Sequence, residues 1–226
     1  MIKLIIFDWD DVFTLGSKEG YIKCLHDTLV DLGVNLDPEE EHKRILSKWS
    51  QPHREELRAL LREKPELLDK ACELYEDKFF GGTFVEQLTY VAGANDLLKK
   101  LSNDYVLALA TGAHPEVLTR QVMPKFDVPD IFAQIISAYD IDDPEKHKPH
   151  RHMLDTIMKT QGFAPNETVF VGDAASDVQM ARNAGVEPIV VLTGHLNRAQ
   201  AEELKVCYII DNVGQLNSVL DMINNN

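Results

Sequence analysis

The chain has 226 residues, of which 44% are hydrophobic and 27% charged, values that are ordinary for a globular protein and exclude disordered and fibrous classes. Its 23 lysine and arginine residues against 37 acidic residues give a net charge of −14, which opposes nucleic acids and anionic membranes as partners. Cys24, Cys72 and Cys207 are too scattered to indicate a disulfide framework or a paired-cysteine zinc site.

The first predicted strand covers residues 2–7, an apolar run typical of a strand buried on both faces of a parallel sheet. The run has no basic leader and is too short for a signal peptide or a membrane span, which favours a cytoplasmic location. It ends in Asp8, Trp9, Asp10 and Asp11. Alternation along a strand points Asp8 and Asp10 the same way, and crowded carboxylates at a buried strand end need a cation or strong donors. A solvated turn is the alternative interpretation.

Residues 16–88 have the spacing of a bundle of helices. Helices are predicted up to Leu32, from Pro38, over 54–63 and over 65–80. At the second of these, Asp37 is the expected N-cap, and Glu40 is placed to reach back in a capping box. We therefore predict that 16–88 is a separate small domain, inserted between residues 1–15 and residues 89–226.

From Gly93 onward, strands and helices alternate, which predicts a parallel sheet with helices on both faces. The predicted strands cover 105–110, 134–137, 168–171, 188–192 and 207–210. The predicted helices cover 94–101, 114–123, the segment that ends at 160, 176–184, 197–204 and 213–222. The predicted fold class is accordingly α/β, with a Rossmann-like core and an all-helical insertion.

Polar side chains gather where the predicted strands end, and the ligand site of an open parallel sheet lies at that edge. The residues concerned are Asp8, Asp10, Thr111, Asp173 and Asp177, with Lys148 on a nearby loop. Carboxylates, a hydroxyl and an ammonium suit a phosphoryl group bridged by a hard cation. Oxygen ligands without cysteine or histidine favour Mg²⁺ over zinc.

Four ordered segments resemble the motifs of the haloacid dehalogenase superfamily. They are residues 7–13, Thr111 after a buried strand, Lys148-Pro149, and 171–177 followed by 181–185. The helical insertion resembles the cap of the phosphoglycolate phosphatase and β-phosphoglucomutase branch. The resemblance implies a catalytic core made of 1–15 and 89–226 and a helical cap over 16–88.

The resemblance also implies roles for the two first acids. Asp8 would attack phosphorus and form an aspartyl-phosphate. Asp10 would protonate the leaving oxygen and then deprotonate the water that hydrolyses the intermediate. Dehalogenase members of the superfamily keep no acid at the position of Asp10, so its presence favours phosphoryl transfer.

The phosphate and metal ligands follow from the same resemblance. Thr111, Gly112 and Lys148 would bind the phosphoryl group, and Lys148 would also balance the charge of Asp8. The Mg²⁺ ligands would be Asp8, Asp173, the backbone carbonyl of Asp10 and, by ligating or by orienting the others, Asp177.

Two features depart from the family pattern. Asp11 stands where the family usually has glycine, which adds a negative charge and a bulkier residue to the loop. After Lys148-Pro149, the usual small residue and proline are replaced by His150 and Arg151, which with His147 and His152 make a basic patch. Its loose spacing permits a zinc site but favours a solvated helix start.

Substrate specificity is expected to come from the cap. The break at 50–54 falls where this branch places its substrate-reading loop, and His53 and Arg54 are the candidate substrate-binding residues there. Basic residues near an active-site mouth would attract a phosphate ester, although a solvated helix face is an equal alternative. The basic residues just before the break are Lys43, Arg44 and Lys48.

Together these features predict a Mg²⁺-dependent phosphatase that hydrolyses a small phosphorylated metabolite of the phosphoglycolate or sugar-phosphate type, as a monomer or a homodimer. The alternatives are a phosphomutase of the β-phosphoglucomutase kind and a non-hydrolytic phosphoacceptor or binding protein.

Overall fold

The computed structural model describes residues 1–48 and 53–225. The chain forms two compact units, one made of Met1–Leu15 and Thr89–Asn226 and the other of Gly16–Leu88. None of the helices in the described ranges combines the length and the apolarity that crossing a membrane requires.

The larger unit is built on a parallel sheet. Its strands are β1 (Leu4–Phe7), β2 (Thr14–Leu15), β3 (Thr89–Tyr90), β4 (Val106–Thr111), β5 (Phe132–Ser137), β6 (Thr168–Gly172), β7 (Glu187–Val191) and β8 (Tyr208–Ile210). Strands β2 and β3 form a short antiparallel ribbon of their own, apart from the main sheet. The main sheet has six strands in the order β5-β4-β1-β6-β7-β8, and every neighbouring pair is parallel. The predicted α/β, Rossmann-like class is confirmed.

Strand β1 lies in the middle of this sheet because all of its side chains can be buried. Residues 4–7 are fully buried, at 0% exposure. Phe7 is level with Leu109 of β4 on one side and with Val171 of β6 on the other. The segments that follow these three strands therefore start side by side at one edge of the sheet.

The smaller unit consists of helices α1 (Ser17–Asp31), α2 (Pro38–Ser47), α3 (His53–Leu60), α4 (Leu68–Phe80) and α5 (Thr83–Glu86). The side chain of Asp37 caps α2 by accepting hydrogen bonds from the backbone N–H groups of Glu39, at 3.0 Å, and Glu40, at 3.4 Å. The reciprocal half of the predicted capping box is absent, because the Glu40 carboxylate binds Arg44 at 2.8 Å instead. A charged hydrogen bond to a buried guanidinium is stronger than one to a backbone N–H.

The helices of the larger unit are α6 (Ala94–Leu101), α7 (Pro115–Val117), α8 (Met123–Lys125), α9 (His152–Gln161), α10 (Ala175–Ala184), α11 (Arg198–Glu203) and α12 (Leu216–Asn225). A π-helical turn, Leu118–Val122, separates α7 from α8 where a continuous helix was predicted over 114–123. Pro124 explains the wide turn, because proline lacks an N–H and its ring displaces the carbonyl one turn earlier.

A buried core joins the sheet to α9 and α10. Its fully buried members include Leu4, Ile6, Phe170, Ile157 and Met180. Burying one such side chain contributes about 1.5–3 kcal/mol of transfer free energy. This packing fixes α10, and with it the residues that begin the helix, against the end of β6.

One carboxylate of the smaller unit is buried away from ionic partners. Glu56 of α3 is 7% exposed, and no ion pair of this residue is found among the described residues. Loss of hydration raises the pKa of Glu56 from 4.5 to about 7. The folded state therefore binds the Glu56 proton more tightly than the unfolded state does, which stabilises the fold below pH 4.5 and is lost as the pH rises through 7.

Glu56→Gln should consequently raise the free energy of unfolding at pH 8, by on the order of 2 kcal/mol, and change it little at pH 5. Urea unfolding at the two pH values measures this difference. Glu73→Gln, at an exposed position of α4, is the control and should show no such dependence on pH. An equal effect of Glu56→Gln at both pH values would contradict the ionisation argument.

Candidate active site

Three of the predicted site residues lie at the ends of neighbouring strands. Asp8 follows β1, Thr111 is the last residue of β4, and Asp173 follows β6. The backbone N–H of Asp8 still donates to Val171 of β6 at 2.8 Å, so the pairing of the central strand continues up to this residue. The sheet order alone therefore gathers residues that are far apart in sequence.

Lys148 connects two of the carboxylates. Its Nζ lies 2.9 Å from Oδ2 of Asp8 and 2.9 Å from Oδ1 of Asp177, and its side chain is only 14% exposed. Burial lowers the pKa of Lys148, but Asp177 and Asp8 outweigh this effect and raise it above the ordinary lysine value. Lys148 is therefore charged at neutral pH and balances both acids.

Asp177 orients the turn between β6 and α10. Its Oδ2 accepts hydrogen bonds from the backbone N–H groups of Asp173 and Ala174, both at 3.1 Å. A Cβ atom on Gly172 would lie 2.5 Å from the same oxygen, so glycine is needed for this close approach. Asp177 thus fixes the backbone that presents Asp173.

Asp8 has both carboxylate oxygens engaged. Oδ1 accepts a hydrogen bond from the backbone N–H of Trp9 at 2.7 Å, and Oδ2 faces Lys148. Trp9 itself is fully buried and packs near Phe13 and Tyr90, with ring centroids 5.3 and 6.3 Å away. The rigid packing of Trp9 fixes the direction of the neighbouring carboxylate.

Asp10 differs from Asp8 in its proton affinity. Loss of hydration, followed by the charges of Asp8 and Asp11, raises the pKa of Asp10 from 3.8 to about 7, against a hydrogen bond from Thr14 that lowers it. The Thr14 hydroxyl lies 3.3 Å from Oδ1 of Asp10. A carboxyl group with a pKa near 7 can both donate and accept a proton at neutral pH.

The turn after β4 is held by two hydroxyl groups. Thr111 is fully buried, and its Oγ1 accepts a hydrogen bond from the backbone N–H of Ala113 at 3.1 Å. Ser137, at the end of β5, donates to the carbonyl of Ala113 at 2.7 Å. Gly112, which lies between Thr111 and Ala113, is exposed, and a Cβ atom added to it would have no neighbouring atom within 4 Å. The Gly112 backbone therefore faces open space. Ser137 was not predicted, although it too ends a strand.

Asp8, Asp173 and Asp177 form a group that could hold a metal ion, since their carboxylate oxygens all lie within 4.8 Å of one another. An oxygen-only set with this charge fits Mg²⁺. The group consists of side chains, so the backbone carbonyl of Asp10 stays a prediction as a ligand. Because Asp177 already accepts two backbone N–H groups and faces Lys148, its contacts suit an orienting role.

A second group was missed by sequence reasoning. Asp11, Asp173 and His195 also place one ligand atom each within 4.8 Å of one another. Asp173 Oδ2 lies 2.8 Å from the Nδ1 and 2.8 Å from the backbone N–H of His195. Asp11 has a φ of 57°, which lies in the left-handed region that glycine, the usual residue of the family at this position, adopts without steric cost. His195 follows β7, the strand next to β6, so the strand-end rule itself was the signal for it.

The candidate substrate-binding residues of the predicted cap, His53 and Arg54, lie in the Gly16–Leu88 unit, whereas the strand-end residues lie in the other unit. Arg54 pairs with Asp69 at 2.5 Å. His53 stacks on Tyr75 with centroids 4.9 Å apart and lies 3.4 Å from Glu76. Residues 50–52 of the predicted substrate-reading loop lie outside the described residues.

The remaining basic candidates have local partners. His147 lies 3.1 Å from the carbonyl of Ile141, and His150 accepts a hydrogen bond from the backbone N–H of His152 at 3.2 Å. None of these histidines belongs to a potential metal group within the described part of the chain. Arg44 is nearly buried and pairs with Glu63 at 2.6 Å, so it stabilises the helical unit.

A family model described as haloacid dehalogenase-like hydrolase matches residues 5–191. A phosphoserine phosphatase of Methanocaldococcus jannaschii is 28% identical over 194 residues, covering 82% of this chain and 83% of that protein. A phosphoglycolate phosphatase of Escherichia coli is 30% identical over 129 residues, covering 57% of this chain and 49% of that protein. The match thus spans about half the length of the second relative.

Among solved structures, one described as a HAD-superfamily hydrolase of subfamily IA from Geobacter sulfurreducens has a TM-score of 0.75 at 23% identity. The likeness covers 97% of this chain and 96% of that chain. It shows that the fold is shared over almost the whole chain.

Proposed function

The chain belongs to the haloacid dehalogenase-like hydrolase family and is a phosphoric monoester hydrolase, and from this premise we propose that it hydrolyses a small phosphorylated metabolite with the help of Mg²⁺. The observation that supports this most strongly is the contact of Lys148 with both Asp8 and Asp177, at 2.9 Å each, beside a carboxyl group of raised pKa at Asp10. These contacts support a site in which Asp8 is the nucleophile, Lys148 the cation and Asp10 the acid–base group.

In the proposed reaction, a carboxylate oxygen of Asp8 attacks phosphorus while the bond from phosphorus to the leaving oxygen breaks. Lys148, which already contacts Asp8, offsets the charge that accumulates on the phosphoryl oxygens. The proposed phosphoryl-binding groups at the end of β4 are the Gly112 backbone and the Thr111 hydroxyl. The product of this step is a phosphoryl group on Asp8.

Asp10 supplies the proton in the first step and removes one in the second. As the neutral acid it protonates the leaving oxygen of the ester. As the resulting carboxylate it takes a proton from the water that attacks phosphorus, while the bond from phosphorus to the Asp8 oxygen breaks and inorganic phosphate leaves. Its pKa of about 7 makes both forms accessible at neutral pH. The Thr14 hydroxyl holds the carboxyl group in place for both steps.

We propose Asp8, Asp173 and the backbone carbonyl of Asp10 as the Mg²⁺ ligands, with Asp177 holding Asp173 in position. When bound, Mg²⁺ would neutralise charge on the phosphoryl group and orient it. The carboxylate oxygens of Asp8, Asp173 and Asp177 lie within 4.8 Å of one another, which supports this assignment.

The substrate class is proposed from the names of two relatives and from the size of the compounds in those names. The two relatives are named for phosphoserine and phosphoglycolate, which are both small phosphorylated acids. We propose a substrate of this size class or a sugar phosphate, a cytoplasmic location, and a monomer or homodimer. The Gly16–Leu88 unit is proposed as the cap that selects the substrate.

The central test is hydrolysis of an aryl phosphate with Mg²⁺, with a chelator, and with Asp8→Asn. Turnover should require Mg²⁺ and fall more than about 10³-fold in Asp8→Asn, because the amide is a poor nucleophile. Asp155→Asn, at a partly exposed acid on α9 that pairs with Arg151, is the control and should retain activity. Mg²⁺-independent turnover, or an active Asp8→Asn enzyme, would contradict the proposal.

Product analysis separates the alternative functions in the same experiment. A phosphomutase would return the phosphoryl group to a sugar phosphate, so that an isomer and not inorganic phosphate would accumulate. A phosphoacceptor or binding protein would keep a stable phosphoryl group on Asp8 and release no phosphate.

Asp10→Asn should reduce turnover by about 10²–10⁴-fold, because neither proton transfer has its acid–base group. An aryl ester with a good leaving group needs little protonation, so its first step should stay fast and the phosphorylated enzyme should accumulate. Rapid quenching of the reaction measures a burst of released phenol followed by slow phosphate release. Phosphate release at the wild-type rate would contradict a role of Asp10 in the second step.

Arg54→Ala should raise KM for the physiological ester and leave a small aryl ester almost unaffected, if Arg54 contacts the part of the substrate beyond the phosphate. Arg58→Ala, on the same helix and also in an ion pair, is the matched control. Steady-state kinetics on both esters measure the effect. The same change in KM for both esters, or for both variants, would remove Arg54 from the substrate site.

A further inference from the structure

The carboxylates at the sheet edge outnumber the cations that the proposed reaction provides. Two cationic side chains, Lys148 and the imidazole of His195, face the four carboxylates of Asp8, Asp11, Asp173 and Asp177. A phosphate ester that binds beside them adds negative charge of its own. Carboxylates this close require further compensation.

Part of this excess comes from Asp11, which lies apart from the first metal group. It groups instead with Asp173 and His195, whose ligand atoms lie within 4.8 Å of one another. Asp11 and Asp173 are 9% and 2% exposed, whereas the His195 side chain is 52% exposed. The group is therefore buried on its acidic side and open to solvent on its imidazole side, which leaves an entry path for an ion.

Hydrogen bonds hold the segment around His195 to the backbone of both Asp173 and Asp11. The backbone N–H of Leu196 donates to the carbonyl of Asp173 at 2.9 Å, and the Thr193 hydroxyl donates to the carbonyl of Asp11 at 2.5 Å. A Cβ atom on Gly194 would lie 2.0 Å from Oδ2 of Asp173, so this residue permits the approach. The imidazole is thus positioned by the backbone on either side of it.

The distance between the donor atoms suits one ion. Nδ1 of His195 lies 2.8 Å from Oδ2 of Asp173. Two donors that each lie about 2.1 Å from a metal, at right angles, are separated by about 3 Å. A metal ion would replace the proton that the two atoms share in its absence.

We propose that Asp11, Asp173 and His195 form a second divalent-cation position, which shares Asp173 with the proposed Mg²⁺ position and prefers Mn²⁺, Co²⁺ or Zn²⁺. The preference follows from the imidazole nitrogen, since Mg²⁺ favours oxygen ligands. The inference rests on the proposed function through the shared Asp173, whereas Asp11 and His195 take no part in the proposed reaction. Its role is to add a second cation beside the phosphate site.

Mn²⁺ binding to the 226-residue chain, first stripped of metal with a chelator, tests this position without measuring activity. In the presence of saturating Mg²⁺, one Mn²⁺ should bind per chain, and pulsed electron paramagnetic resonance should detect coupling to an imidazole nitrogen. His195→Asn should weaken this binding more than about tenfold and abolish the coupling. His150→Asn, an exposed histidine outside both groups, is the matched control and should behave as the wild type.

Asp11→Gly provides a second variant, because the left-handed φ of Asp11 suits glycine and the fold should be retained. It should weaken Mn²⁺ binding in the same way. Mn²⁺ that fails to bind beside Mg²⁺, or that binds without nitrogen coupling and equally in both variants, would overturn the second position.

A separate Mg²⁺ titration of wild type and Asp8→Asn distinguishes the failure of the two proposals. Mg²⁺ binding that depends on Asp8, without a nitrogen-coupled Mn²⁺, would leave the proposed function intact and remove the second position. Nitrogen-coupled Mn²⁺ without a Mg²⁺ site that depends on Asp8 would support the second position and contradict the proposed Mg²⁺ site of the function.

Discussion

The ion pairs of Lys148 with Asp8 and Asp177 are the interaction on which the site depends. Carboxylates this close together repel one another and lose hydration, so without the ammonium the sheet edge would be destabilised or its acids would stay protonated. Lys148 therefore compensates two of these carboxylates before any metal or substrate is present.

The order of the strands brings these residues together at one edge of the sheet. Because β1 lies between β4 and β6, Asp8 has Thr111 on one side and Asp173 on the other. The outer strands extend the same edge to Ser137, at the end of β5, and to His195, which follows β7. Asp8, Thr111 and Asp173 each lie at the end of a buried strand, so the sheet fixes their positions.

Much of this organisation could be predicted from the sequence, for physical reasons. Buried parallel strands are continuous apolar runs, and the polar residues that interrupt them mark the functional edge. Other features depend on packing that the pattern does not encode. The two-residue strands β2 and β3 are too short for any periodicity, and the wide turn before Pro124 follows from a missing N–H. The strand-end rule indicates His195 as a candidate, but its contact with Asp173 depends on the turn after β7, which the pattern does not encode.

The short ribbon formed by β2 and β3 has an architectural consequence. Leu15 is paired with Thr89, so the chain leaves the larger unit and returns to it through adjacent residues of one antiparallel pair. The ends of the intervening segment are already as close as those of a β-hairpin, whose loop needs only two residues. The helical segment is therefore exchangeable as a unit. Its replacement by another segment, or by a short turn, would not shift the register of any strand in the main sheet.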